Sequence, residues 1–544
     1  MRRQQKAPII PLVALVVVLV STTIILVTLC SQDTRDYSRR LSIFNLPSEF
    51  GDPKSIANKI HEDGRINDND AADTKVIKAY TYTDLINNAA PLPQYSLSSV
   101  IHAANIYYTR YTLLRYDPSK DKFIAYYSNR HRWVSGCKKL VEAVRGLTIL
   151  LRNLFPERFT PDSPELVLAI GGGDYPAVNN ELYGACVWKN DEGPCDESLL
   201  QQAPILHFGS VFAHPLFPNI IAMPMPKAHT DCFIKWLMRD RQPCELFLPT
   251  PDALPWDELI PQLVWRGTDF QYLSFQNSLE RPSFEKYVDG KTNPNADQKR
   301  AATQILRQNF DKLIPRWKGV VYTAESEIEA RRSKTLPKVN IKFASVAEGG
   351  KHAAIGAKEY KKWEGIGFPV AGESLDEAQL SKFKYHIDIG GGGGTTWTGT
   401  VRKLAMPGLL FHHITPTKDY IHDQIQPWVH YVPVQPDLAD LMEKLEWAET
   451  HPAEAKKIAE TATELMKQLS TPEGFEPLFE QHVLNPLLEV IEAYNPLDLR
   501  DEKSWDDAFE QLGGKQVFSP FMECTSDGGC SIDNKRIAIY KGSK

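Results

Sequence analysis

The stretch YHIDIGGGGGTTWTGTVRKL at residues 385–404 sets five consecutive glycines, Gly390 to Gly394, behind an apolar alternation at Ile387 and Ile389. Thr398 to Met406 behind them suits a helix, so the glycines fall at a strand-to-helix turn. Such a turn is a place for an anion. Helix starts carry unsatisfied N–H groups and partial positive charge, and a backbone without Cβ lets a phosphate come close. A diphosphate is the natural guest, and a flexible surface loop is the plain alternative. No Lys-Ser/Thr follows the run as a Walker-type loop requires, and no GxGxxG lies near the N-terminus. A second glycine turn, Gly171-Gly172-Gly173, ends the buried-strand pattern PELVLAI and delivers Asp174 beyond it.

These turns need elements to hold them. LTILLRNLF reads as a helix before the PELVLAI strand, and a second unit opens near QLVWRGTDF at Val264 to Phe270. Ser374 to Glu377 forms a capping-box pattern ahead of the strand that leads into the glycines. Downstream, Asp437 is placed to cap LADLMEKLEWAE, whose Leu438, Leu441, Met442 and Leu445 have helical spacing. PAEAKKIAETATELMKQL and PLFEQHVLNPLLEVIEAY supply two more amphipathic helices. Strand and helix patterns alternating in this way predict an α/β protein of two Rossmann-like domains facing a cleft, since open parallel sheets bind ligands beyond the carboxyl ends of their strands.

The 544-residue chain has 42% apolar and 24% charged residues and a formal charge of −6, a balance that lends nothing to nucleic-acid binding. Ile9 to Leu29 carries no charge, and a helix of that length crosses a bilayer core of roughly 30 Å. The expectation is one N-terminal transmembrane helix, a signal anchor rather than a cleaved leader. Arg2, Arg3 and Lys6 before it are matched by Arg35, Arg39 and Arg40 after it, so charge barely fixes the orientation. Cysteine usage points to a lumen. Cys186 and Cys195, Cys232 and Cys244, and Cys524 and Cys530 lie close together in loop-like stretches and suit disulfides, with reduced buried thiols as the alternative. The expected organisation is a cytoplasmic tail (1–8), the anchor (9–29), a flexible stem (30–75), an N-terminal Rossmann-like domain (76–260), a C-terminal Rossmann-like domain (261–500) and a C-terminal extension (501–544). The corresponding location is a single-pass type II membrane protein of the Golgi or endoplasmic reticulum.

From Tyr385 to about Leu469 the sequence resembles glycosyltransferase family 90, which includes capsule-associated xylosyltransferases and protein O-glucosyltransferases. DQIQPWVHYVPVQPDLADL at Asp423 to Leu441 carries most of it, being similar to the family's PW-HY-PV signature. WTGTVRKL at Trp397 to Leu404 resembles its donor-loop segment, and WRGT at Trp265 to Thr268 the start of its second domain. GGGDYPAV at Gly171 to Val178 resembles the stretch that carries the family's catalytic base.

The resemblance implies a GT-B fold, a UDP-sugar donor such as UDP-glucose or UDP-xylose, an inverting mechanism, a glycan or protein acceptor, and no metal or other cofactor. It implies Asp174 as the base. For the donor it implies Arg266, the backbone of Gly391, Gly392, Gly393 and Gly394, then Thr396, Trp397, Thr398, Thr400 and Arg402, with Trp428, His430 and Tyr431 lining the pocket. Thr400 stands where the family has an arginine, and Arg402 lies about 200° round a helix from it. The phosphate contact is therefore expected to have moved, with Arg266 one destination and Lys403 either a contact or a solvated cation. Trp428 and His430 also suit a core, and His412 and His413 alternate faces on a strand, which argues against one shared metal ion. Asp68-Asn69-Asp70 has a metal-binding DxD form but lies in the polar stem, where we read it as chance. A catalytically silent binding relative and a Rossmann oxidoreductase are the competing readings, the latter lacking GxGxxG.

Overall fold

The computed structural model describes residues 92–106, 111–128, 138–171, 203–211, 220–224, 231–235, 243–248, 253–269, 279–288, 297–344, 356–391, 394, 396, 398–415, 417–497, 502–525 and 529–532. Its strands, in chain order, are β1 Tyr111–Asp117, β2 Lys122–Ser128, β3 Leu166–Gly171, β4 Ile205–His207, β5 Ser210–Val211, β6 Ile220–Ala222, β7 Ile260–Gly267, β8 Val339–Phe343, β9 Phe383–Asp388, β10 Leu409–His413, β11 Thr417–Lys418, β12 Val432–Val434, β13 Phe518–Cys524 and β14 Cys530–Ile532.

Two large sheets result. The first has the order β14-β13-β2-β1-β3-β4-β6, antiparallel from β14 to β3 and parallel from β3 to β6. The second, β12-β10-β9-β7-β8, is parallel throughout. Parallel strands are covered on both faces, which is why β3 reads LVLAIG with every residue buried. The short antiparallel pair β5–β11 joins the loops beyond the carboxyl ends of β4 and β10, so those ends of the two sheets meet.

The second sheet follows the order 2-1-3-4-5, with its switch point between β7 and β9. Thr323 Oγ1, in the Pro315–Ser333 helix, takes the Ile341 N–H (2.8 Å) and donates to the Ile341 carbonyl (2.9 Å), fixing that helix across β8. Trp317 and Trp363 fill the space beneath, fully buried.

A membrane-entered fold and a single-pass membrane location are corrected. Among the described residues no helix is long and apolar enough to cross a membrane. The two 19-residue helices, Pro315–Ser333 and Pro452–Ser470, each carry charges of both signs along their length, such as Lys318, Glu325 and Arg331 in one and Lys457, Glu460 and Lys467 in the other. Charges of that number are too costly for a hydrocarbon core. Residues 9–29, where the anchor was expected, lie outside the described residues.

Local details also differ. The capping box before β9 is made by Asp376 with Gln379, not by Ser374 with Glu377, because the short helix starts at Glu377. The helix expected after Asp437 starts at Leu441, since the Asp437 carboxylate takes the Ala439 N–H in a tight turn and Leu438 is left-handed (φ 55°). PLFEQHVLNPLLEVIEAY is helical but passes through a π turn at Glu480–Leu484, just before Pro486, which has no N–H to offer the preceding turn. Disulfides Cys232–Cys244 and Cys524–Cys530 are formed, the second tying β13 to β14. Cys186 and Cys195 lie outside the described residues.

Candidate functional site

Arg316, at the start of the Pro315–Ser333 helix, spans the switch point of the parallel sheet. It donates from Nη1 to the Thr268 carbonyl (2.5 Å), just past β7, and from Nη2 to the Ile389 carbonyl (3.1 Å), just past β9. Its guanidinium lies 5.1 Å from the Trp265 ring centre, a cation–π distance. A Cβ on Gly391 would stand 2.6 Å from Nη2. Only glycine allows this approach of loop and cation.

The glycine turn is held from the neighbouring strand. Gly390 N–H donates to His413 Nδ1 (3.1 Å), and His413 Nε2 lies 2.8 Å from the Pro436 carbonyl, which can only accept. The proton therefore sits on Nε2 of a neutral ring, and burial keeps it neutral by pushing the pKa down to about 4. Gly394 N–H returns to the Gly391 carbonyl (3.1 Å) with φ at +83°, and a Cβ on Gly390 would meet the Gly394 carbonyl oxygen at 2.6 Å.

Asp388, the last residue of β9, is fully buried directly before the turn. It accepts from Thr400 Oγ1 (2.6 Å), Thr396 Oγ1 (3.4 Å), the His413 N–H (3.3 Å) and His412 Nδ1 (2.9 Å to each oxygen). Burial alone would raise its pKa, but the His412 pairing, Lys403 and the Thr400 hydrogen bond bring it below the usual carboxylate value. The line continues from His412 Nε2 to His422 Nε2 (3.1 Å) and from His422 Nδ1 to Asp419 Oδ1 (2.7 Å), all four residues being buried. Lys403 Nζ sits 3.4 Å from the Gly399 carbonyl; burial lowers its pKa, with the Asp388 charge opposing and the Arg316 charge adding to the shift.

The expected site residues are thus partly gathered and partly dispersed. Gly391, Gly394, Thr396 and Thr400 surround Asp388 and Arg316, and Thr398 opens the Thr398–Leu404 helix beside them. Thr400 is committed to Asp388. Arg402 points elsewhere: it pairs with Glu377 and donates to the carbonyls of Glu245, Leu246 and Leu248, because its place on the helix faces away from the turn. Arg266 is engaged by the carbonyls of Glu373, Trp265 and Asn340 and by Asn340 Oδ1. Trp428, at φ 62°, stacks edge-on against Trp447 with the Lys444 ammonium 4.7 Å from its ring centre. His430 takes the Gln426 N–H and lines a recess of about 350 Å³ with Glu460, Glu464, Leu465 and Gln468. Of the PWVHY stretch, Tyr431 reaches the site, its ring 4.9 Å from that of His412. Asp174, Gly392, Gly393 and Trp397 lie outside the described residues. Gly171, three residues before Asp174, ends β3 against His207, whose ring occupies the place of its missing Cβ (2.1 Å).

Sequence reasoning missed Arg316, Asp388, His422 and Asp419. Asp388 had a signal, a carboxylate at a strand end directly before glycines. Arg316 had none, being brought to the loop by sheet order alone.

Residues 357–474 match the model of glycosyl transferase family 90. An 84-residue stretch is 40% identical to protein O-glucosyltransferase 2 of Danio rerio, covering 14% of this chain and 15% of that protein. Another, of 97 residues, is 31% identical to protein O-glucosyltransferase 3 of Homo sapiens, covering 17% and 18% respectively. A 127-residue stretch is 29% identical to uncharacterized protein 035R of Invertebrate iridescent virus 3, covering 23% and 12%. The chain therefore spans less than a fifth of the length of these relatives.

Proposed function

We propose, from the match of residues 357–474 to glycosyl transferase family 90, that the chain is an inverting transferase moving glucose or xylose from a UDP-sugar to a hydroxyl of a glycan or protein. The observation that carries this reading is Arg316 lying against Gly391 across the switch crevice of the parallel sheet. The names of the two O-glucosyltransferase relatives favour glucose.

In this reading the diphosphate occupies the glycine turn. Arg316 and Lys403 supply positive charge where the leaving group gains negative charge, and such fixed charges act more strongly on the transition state than on the ground state. Asp174 takes the proton of the acceptor hydroxyl as its oxygen attacks the anomeric carbon from the face opposite the departing UDP, which inverts that centre. No resident metal is part of the proposal, since the two cations already face the loop. Thr396 and Thr400 do not bind phosphate themselves; they anchor the turn to Asp388.

The test is nucleotide release by the full chain with a panel of UDP-sugars and acceptor hydroxyls, beside its Asp174→Asn variant. Turnover of one donor, lost in the variant, supports the reading. A second reading, a catalytically silent sugar-binding relative, is favoured by Thr400 standing in the family's arginine position with its hydroxyl consumed by Asp388. It expects UDP to raise the melting temperature with no turnover in any pairing.

A further inference from the structure

We propose that the recess between the turn at 426–430 and the Pro452–Ser470 helix is a binding site for a short neutral saccharide, separate from the glycine turn. One wall is a stripe built by helical spacing. Glu460, Glu464 and Gln468 recur every four residues and so share one face over about 12 Å of helix, with Thr461 and Leu465 in the adjoining row. His430 completes the lining. The volume of about 350 Å³ falls at the lower end of ligand sites, roughly 300–1,000 Å³.

Each lining group has a defined hydrogen-bonding part. The Gln426 N–H donates to His430 Nδ1 (3.0 Å), so that nitrogen is bare, and burial keeps the ring neutral by lowering its pKa. The proton therefore sits on Nε2, a fixed donor. Thr461 gives its hydroxyl proton to the Lys457 carbonyl (2.7 Å) and keeps its oxygen as an acceptor. The two carboxylates accept, and the Gln468 amide does both. Leu465, half-buried, sets an apolar patch among them. A sugar ring asks for this mixture, since each hydroxyl both donates and accepts while the C–H faces are apolar.

Charge decides against a cationic guest. Lys456 Nζ lies 3.9 Å from Glu460 and Lys467 Nζ 3.9 Å from Glu464, so each carboxylate has its own counter-ion on the same helix. The stripe thus offers acceptors without net charge, which suits a neutral polyol better than a basic peptide. The recess shares no lining residue with the glycine turn, Arg316 or the Asp388 cluster. Neighbouring side chains part here: Tyr431 turns to His412, with ring centres 4.9 Å apart, and His430 turns to the recess. In a transferase such a site would retain a glycan on the enzyme, a use that rests on the transferase reading; the binding itself does not.

The test is calorimetry and NMR of the full chain, labelled at histidine and titrated with cellobiose, maltose and xylobiose. Glu464→Gln and Gln468→Ala are measured beside it, both at exposed positions where the change leaves the fold intact. A disaccharide is expected to bind saturably, to move the His430 ring signals, and to bind equally well with UDP present and in Arg316→Gln. Each recess variant is expected to weaken it about fivefold, the equivalent of one hydrogen bond. Absence of saturable binding by all three sugars overturns the proposal. So does binding that UDP displaces, since the sugar then occupies the glycine crevice, or binding unchanged in both recess variants. Tetralysine binding more tightly than any of the disaccharides, and losing that binding in Glu464→Gln, would make the recess a surface for basic peptides instead. Disaccharide binding in a chain that binds no UDP would sink the transferase reading and leave the recess standing.

Discussion

The Thr400 hydroxyl donates to Asp388 at 2.6 Å, and both residues are fully buried. Thr400 is thus a hydroxyl tie that fastens the helix after the glycine turn to the strand before it. Thr400→Val keeps the shape and removes the donor, and we expect a loss of about 1–3 kcal/mol in denaturant unfolding, the cost of leaving a buried acceptor short of a partner. Thr400→Arg is expected to be worse still, because no space exists beside Asp388 for a longer side chain; a gain in donor affinity in that variant would contradict the packing.

Arg316 and Arg402 make opposite predictions. Arg316→Gln removes the cation at the switch point and should weaken UDP-sugar binding at least tenfold, a typical cost for a charge-assisted contact. Arg402→Ala cuts only the tie to Glu377 and the 245–248 backbone, so it should lower the melting temperature and leave the donor KM in place. Isothermal titration with UDP separates the two.

Glycine in the turn is tested by single methyl groups. Gly391→Ala directs a Cβ at the Arg316 guanidinium and should reduce UDP affinity more than it reduces stability. Gly394→Ala must hold φ near +83° and should cost about 1 kcal/mol of stability, the usual penalty for a side chain in the left-handed region.

Stability should depend on pH in two opposing ways. His413 is neutral in the fold, with its pKa pushed down from 6.5 to about 4 by burial. The unfolded chain binds that proton first, so this contribution is complete above pH 6.5 and is lost as pH falls toward 4, on the order of 3 kcal/mol in all. His482 behaves alike. Glu165 is the reverse: buried under Tyr494, it has its pKa raised by burial from 4.5 to about 7, so the fold is favoured while it stays protonated. Its contribution is present below pH 4.5 and falls as pH rises through 7. Unfolding of Glu165→Gln across pH 4–8 should show a steeper net rise with pH than the wild type, and an unchanged slope would remove Glu165 from the account.

What could be read from the chain alone was local. The Ile387–Ile389 alternation, the glycines and the following helix were legible because each is a short-range pattern, and β9, the turn and the Thr398–Leu404 helix follow it. Arg402 is tied to Glu377 and the 245–248 backbone while Lys403 lies nearer Asp388, since one helical step of about 100° decides which way a side chain faces. Arg316 was invisible for a different reason: β7 and β9 become neighbours only in the assembled sheet, and nothing near Pro315 announces a partner beyond β9. The His412–His422 contact likewise depends on β10 pairing with β9 so that His412 lies opposite Asp388. The Ile9–Leu29 run, the strongest sequence signal of all, has no counterpart among the described helices.

The central claim is that the glycine turn with Arg316 holds the diphosphate of a sugar donor. The most direct measurement is UDP binding by calorimetry to the full chain and to Arg316→Gln, followed by nucleotide release from UDP-glucose and UDP-xylose. The account predicts saturable UDP binding that drops at least tenfold in the variant, with turnover of one of the two donors. UDP binding of equal strength in both proteins, or none in the wild type, would contradict it.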